Sequence, residues 1–167
     1  MTWHVRAACA EDLPALPEIE RAAATLFPPE RIPDPDEVHG VEELAGYLED
    51  GLLWVAADSR ALMGYVMARE LDGALHVYEL AVEPRFGRQG IGTALMRRAV
   101  AEGELRRLPR VTLTTFEDLP WNAPFYRRLG FRVQDADALT DPLRRLLEGE
   151  RAAGMTHRVA MCLDLEP

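Results

Sequence analysis

At 167 residues, 48% hydrophobic and 28% charged, the chain has the size and composition of one globular domain (1–167) able to bury a sizeable core. No apolar run approaches the roughly 20 residues that cross a bilayer, and the start, Met1-Thr2-Trp3-His4-Val5-Arg6, lacks the pattern of a signal peptide, so a cytoplasmic protein without a membrane partner is expected. The net charge of −9 argues against nucleic acid, and two cysteines near opposite ends, Cys9 and Cys162, give no support to a disulfide or a metal site.

In chain order, residues 3–8 alternate enough for a first strand. Cys9-Ala10-Glu11-Asp12 then leads into a helix through about Leu26, with Leu13, Leu16, Ile19, Ala22/Ala23 and Leu26 on one face. Four prolines (28, 29, 33 and 35) make 27–37 a loop, and 41–50 reads as a short helix stopped near Gly51. Two strands, 52–57 and 62–69, flank a turn at Asp58-Ser59-Arg60, and Asp72-Gly73 signals another turn before a strand over 75–82.

A helix follows over 90–104, then a threonine-rich strand over 111–116. A short helix over 122–129 has Asn122 as N-cap and Gly130 as its left-handed stop, with Phe131 packing back beneath. A helix over 139–153 and a strand over 158–165 close the chain. Antiparallel hairpins in the first half and a β-α-β unit in the second predict an α/β (α+β) fold. It has a mixed central sheet of about six to seven strands flanked by helices on both faces.

The most informative stretch is Tyr-Glu-Leu-Ala-Val-Glu-Pro-Arg-Phe-Gly-Arg-Gln-Gly-Ile-Gly-Thr-Ala-Leu, residues 78–95. An apolar strand ends at Val82, Pro84 breaks it, and a loop with Gly87, Gly90 and Gly92 opens into a helix. Unpaired amides and the dipole at a helix N-terminus favour an anion, so this is a phosphate cradle. All 19 basic residues are arginine, and ten of them fall within 85–132 against four acids, a local balance of +6 that leaves −15 for the remainder. The basic block suits an anionic cofactor, and the acidic remainder suits a cationic acceptor. A dinucleotide fold fits less well, because Leu95 stands where the third glycine is needed and the loop follows several strands. No Lys-Ser/Thr follows, which excludes a nucleotide-triphosphate loop.

Over residues 72–131 the chain resembles the GNAT superfamily of acyl-CoA-dependent N-acetyltransferases. Gly90-Ile91-Gly92 fills the second half of the family's Arg/Gln-x-x-Gly-x-Gly/Ala loop, after a Leu80-Ala81-Val82 strand. The segment 122–131, Asn-Ala-Pro-Phe-Tyr-Arg-Arg-Leu-Gly-Phe, is similar to the family's Asn-x-x-x-x-Tyr-x-x-x-Gly-Phe. One departure is Gly87, where the pattern has Arg or Gln, with Arg85 and Arg88 as the nearest arginines.

The resemblance implies a fold in which strand 75–82 splays from strand 111–116, with the pantetheine of acetyl-CoA in the gap. It implies cofactor contacts at Leu80, Ala81, Val82, Gly87, Arg88, Gln89, Gly90, Ile91, Gly92, Thr93, Asn122 and Phe125. The implied activity is acetyl transfer from coenzyme A to a primary amine of a small molecule or peptide, by direct attack in a ternary complex. Homodimers are common in such families. A non-catalytic acyl-CoA-binding module on the same fold is the alternative.

Acetyl transfer needs a neutral amine, yet an alkyl ammonium of pKa about 10.4 is mostly charged at pH 7, so a base has a large task. Glu79 is the first candidate, an acid inside the otherwise apolar Leu75, Val77, Leu80, Val82 strand, where burial raises its pKa. An ion pair with a nearby arginine is the competing role. His76 is the second candidate, on the opposite strand face if the pairing is regular; a bulge undoes that assignment. Tyr126 matches the family tyrosine that acts as general acid at the cofactor sulfur, and Asn122 the asparagine that bonds the pantetheine arm. Acceptor pockets in the family lie by the first two helices, where Glu20, Asp34, Asp36 and Glu37 can draw in a cation and Trp121 can form an aromatic wall.

Overall fold

The computed structural model describes residues 2–166. Seven strands form one sheet: β1 (His4–Ala7), β2 (Leu53–Ala57), β3 (Leu62–Leu71), β4 (Ala74–Val82), β5 (Arg110–Phe116), β6 (Arg132–Val133) and β7 (Arg158–Asp164). Their order across the sheet is β1-β2-β3-β4-β5-β7-β6, with β4 and β5 the parallel pair and the other neighbours antiparallel. Five α-helices accompany them: α1 (Leu16–Ala24), α2 (Val41–Glu49), α3 (Ile91–Leu105), α4 (Ala123–Arg128) and α5 (Asp141–Ala152). A mixed seven-stranded sheet between helices is the architecture that the pattern of elements predicts.

Two cores sit on opposite faces of the sheet. On one, Ile91, Leu95, Met96 and Ala99 of α3 pack against Leu75, Val77, Val66 and Leu113. On the other, Leu16 and Ile19 of α1 with Leu44 and Tyr47 of α2 cover Leu53, Val55, Tyr65, Met67 and Ala81. The alternation of strand side chains divides these sets, so each strand carries one face of each core. A third cluster seats α5 on β7 through Leu143, Leu147 and Ala160.

Three local departures have physical causes. The predicted helix from Cys9 onward begins as a 3-10 turn over Ala10–Ala15, and α geometry starts only at Leu16, with Pro17 in its first turn. β6 has only two residues, too short to show the alternation that marks a strand, and it forms solely on β7. Asn122 precedes α4 but makes no side-chain cap; its Oδ1 instead accepts the Phe116 backbone N–H at 3.2 Å, tying α4 to the end of β5. Gly130 does stop α4 in the left-handed region (φ 100°), and the Phe131 N–H returns to the Tyr126 carbonyl at 3.1 Å. Asp72 and Gly73, both at positive φ, form the tight β3–β4 turn.

Candidate active site

The site is built on β4. Its register with β3 is regular from Leu71↔Ala74 to Ala68↔Val77 and again from Met67↔Glu79 to Gly64↔Val82, so Tyr78 is an extra residue taken up in a bulge. The bulge corrects the assignment of His76 and Glu79 to opposite faces. They pair with Arg69 and Met67, two residues apart on β3, and therefore share the face covered by α1 and α2.

On its other side β4 meets β5 only at Leu75↔Val111 and His76↔Thr112. Beyond those pairs the two strands diverge, leaving a V-shaped gap whose β4 wall is 77–82. Leu80 and Val82 turn their side chains into the α3-face core and Ala81 into the opposite one. What remains along the gap is main chain, whose N–H and C=O groups need partners.

The gap opens toward the glycine-rich loop. Residues 87–90 are exposed, Arg88 and Gly90 take positive φ (62° and 80°), and Gly90 is the residue before α3. No side chain caps α3, so its first amides, those of Ile91, Gly92 and Thr93, are open to an anion. A Cβ built on Gly90 meets nothing within 4 Å, which leaves the loop's outer side clear. Gly92 lies against Phe125, Val82 and Leu80, so α3, α4 and β4 converge at the mouth of the gap. The Ile91 side chain itself is buried, leaving only its main chain for a ligand. Arg85 is engaged with Glu83 at 2.7 Å and stacks on Phe86, whereas Arg88 makes no ion pair among the described residues. These features fit a diphosphate held by main-chain amides with Arg88 at hand.

Glu79 is half-buried and makes no ion pair with an arginine among the described residues. The neighbouring Arg158 is committed to Glu150 at 3.1 Å. Burial first, then the charge of Glu20, push the Glu79 carboxyl up to about 8. Tyr126 packs edge-on against Phe125 and Phe131, with ring centroids 5.0 and 6.0 Å away. With Phe125 and Leu129 it packs against the α3-face core. Its hydroxyl is pushed above the usual tyrosine range by burial and then by the charge of Glu79, so it keeps its proton at neutral pH.

His76 is 1% exposed, with Nδ1 2.8 Å from Thr112 Oγ1, at the closed end of the V where β4 and β5 are still paired. Burial pushes its pKa down to about 4, so it is uncharged at neutral pH.

Of the acids near the first two helices, only Glu20 reaches Glu79. Glu20 Oε1 accepts from the His39 backbone N–H (2.9 Å) and the Tyr65 hydroxyl (3.1 Å), and lies 2.8 Å from His39 Nδ1. Burial pushes Glu20 up, but the hydrogen bonds from His39 outweigh it and hold the carboxyl below its ordinary value. Oxygen or nitrogen atoms of Glu20, His39 and Glu79 all lie within 4.8 Å of one another. His39 gave no sequence signal, because it sits in the proline-rich connection and only the tertiary fold brings it to β4. Asp34, Asp36 and Glu37 are exposed, with Asp36 3.6 Å from Arg21. Trp121 is half exposed and lies edge-on to Phe27, which in turn meets Phe116, while Arg31 grips Asp118 with its two terminal guanidinium nitrogens (2.8 and 2.5 Å).

Comparison with known proteins agrees with this architecture. Residues 16–131 match the family model described as Acetyltransferase (GNAT) family. Among solved structures, the paia N-acetyltransferase of Thermoplasma acidophilum, in complex with coenzyme A, is 19% identical with a TM-score of 0.74, covering 99% of this chain and 100% of its own. The ribosomal-protein-S18-alanine N-acetyltransferase of Escherichia coli is 19% identical (TM-score 0.72; 99% and 96% covered). Salmonella typhimurium yncA, solved with its cofactor acetyl-CoA, is 16% identical (TM-score 0.74; 100% and 96% covered). At such identities the structural likeness speaks for the fold, and the family rests on the matched model. The chain belongs to the GNAT family of acetyltransferases.

Proposed function

We propose that the protein is an acetyl-CoA-dependent N-acetyltransferase acting on a primary amine of a small molecule or peptide by direct attack in a ternary complex. The observation that carries this reading is the convergence on one strand. β4 supplies one wall of the gap, leads into the open amides at 88–93, and carries beside the gap a carboxyl, Glu79, with no arginine ion pair among the described residues. The same amides and Arg88 hold the diphosphate, while the β4 main chain, Asn122 and Phe125 line the course of the pantetheine.

Acetyl-CoA supplies an acyl carbon activated by a thiol leaving group. Glu79 takes a proton from the ammonium of the acceptor, since in its carboxylate form a base poised near neutrality is matched to that task. Open main-chain N–H groups of β4 face the position where an oxyanion develops. Tyr126, still protonated, donates to the departing sulfur and regains a proton from the nitrogen as the amide forms. Neither cysteine is placed to form an acyl-enzyme: Cys9 is exposed beside Asp12, and Cys162 is buried against Arg132 at 2.9 Å.

The test is thiol release from acetyl-CoA with a panel of alkylamines, polyamines, amino acids and peptides. Turnover that Tyr126→Phe abolishes at unchanged coenzyme A affinity supports the enzyme. Tight acetyl-CoA binding without turnover on any amine favours the acyl-CoA-binding module instead.

A further inference from the structure

Glu79 sits at the inner end of a line of titratable groups that runs outward to solvent, and the acetyl-transfer reading leaves that line unused. Next to Glu79 on β4 comes Glu20 of α1, whose side chain is 13% exposed; then His39 of the α1–α2 connection, at 24%; then Glu43 of α2, at 55%. Glu20 Oε1 is 2.8 Å from His39 Nδ1, and His39 Nε2 is 3.9 Å from Glu43 Oε2. At the inner end, one side-chain oxygen or nitrogen of each of Glu20, His39 and Glu79 lies within 4.8 Å of the others, close enough for one water or one amine nitrogen to bridge them.

We propose that Glu20 and His39 form the proton outlet of Glu79, passing to solvent the proton that Glu79 takes from the acceptor; this rests on the acetyltransferase reading above. Four transfers balance. An N–H of the acceptor ammonium breaks as an O–H forms on Glu79. That proton moves to the Glu20 carboxylate, directly or across one water. Glu20 hands it to Nδ1 of the neutral imidazole in its Nε2–H tautomer, which gives the ion pair seen at 2.8 Å. The imidazolium then releases a proton on its solvent side, to Glu43 or bulk water. Exchange of the remaining Nδ1 proton for one on Nε2 through solvent returns the imidazole to its accepting tautomer, and Glu79 is a carboxylate again for the next acceptor.

Two features of the surroundings suit this role. Tyr65 and the His39 main chain bond to the same oxygen of Glu20 and fix it between Glu79 and the imidazole. Burial lowers the His39 pKa, yet the hydrogen bond and charge of Glu20 outweigh it and leave it above its ordinary value, so the ring takes up a proton beside Glu20 more readily than a free imidazole. The other groups facing Glu79 are less suited to carry a proton outward. Tyr65 and Tyr126 hold theirs too tightly, and Arg158 is paired with Glu150.

The experiment combines a titration with a rescue. In protein labelled with ¹³C at glutamate Cδ, the Glu79 resonance is followed against pH together with the His39 ring. A second inflection of Glu79 is expected at the pH where His39 titrates, and it should vanish in both His39→Gln and Glu20→Gln. A Glu79 curve indifferent to both substitutions overturns the outlet, whether or not any amine has yet been found to turn over. In acetyl-transfer assays at low buffer concentration, His39→Gln should lower kcat about tenfold at unchanged acetyl-CoA KM. Added imidazole should restore it, and an equal concentration of sodium chloride should not. A loss that imidazole leaves unrepaired in a variant folded as the wild type assigns His39 a structural role and overturns the proposal. Wild-type inactivity toward the whole amine panel counts against the enzymatic reading, which the titration does not depend on.

Discussion

Glu79 and His76 stand three residues apart in β4 yet share one face of the sheet, because Tyr78 is taken up in a bulge. The bulge falls near the point where β4 parts from β5. One irregularity thus turns an acid beneath α1 and the α1–α2 connection while leaving its main chain on the wall of a gap. Bulges re-aim side chains in this way at working sites.

The carboxyl of Glu79 should set the acid limb of the pH profile. A base acts only when ionised, so kcat/KM should rise with pH through a midpoint near pH 8 and level off above it, following a carboxyl pushed up to about 8. Glu79→Gln should lose about 10²–10⁴-fold in kcat and flatten that limb. A limb unchanged in the variant assigns the base elsewhere.

The same shift has a consequence for stability. A carboxyl whose pKa is raised on folding binds protons more tightly in the native state, so its contribution falls as pH rises from the unfolded value of about 4.3 toward 8. Glu79→Gln should therefore gain on wild type across that window, on the order of 1 kcal/mol or more by pH 8. Urea titrations at pH 5 and pH 8 measure the difference, and a gap that does not widen with pH contradicts the raised value.

Much of this was legible beforehand in Leu80-Ala81-Val82, Gly90-Ile91-Gly92 and 122–131, because a loop that must expose amides and a helix that must stop at a glycine constrain residue type strongly. The pairing of Glu20 with His39 was not. It joins a helix to a connection 19 residues on through tertiary packing alone. The face of His76 was misjudged for a related reason: period-2 counting assumes regular pairing, and no residue type marks Tyr78 as the extra one.

Gly90 offers a graded test of the loop. At φ 80° with open space around a Cβ, Gly90→Ala should cost about 1 kcal/mol of backbone strain and little affinity. Gly90→Asp adds a negative charge where the diphosphate is placed and should weaken coenzyme A binding at least tenfold. Equal calorimetric affinities for the two variants would argue against amides 88–93 as the anion site.

The clasp between Arg31 and Asp118 should hold the 27–37 segment against the segment that follows β5. Arg31 holds the Asp118 carboxyl down to about 2, so the pair stays ionised at neutral pH and is lost only as pH falls toward that value. Asp118→Asn should speed hydrogen exchange at the Arg31 amide and raise the acceptor KM more than that of acetyl-CoA.

The most direct measurement is a crystal structure with acetyl-CoA bound. The diphosphate should rest on the main chain of 88–93, with pantetheine between β4 and β5 and the thioester sulfur within hydrogen-bond reach of the Tyr126 hydroxyl. A cofactor seated outside that gap, or a sulfur out of reach of both Glu79 and Tyr126, would contradict the account.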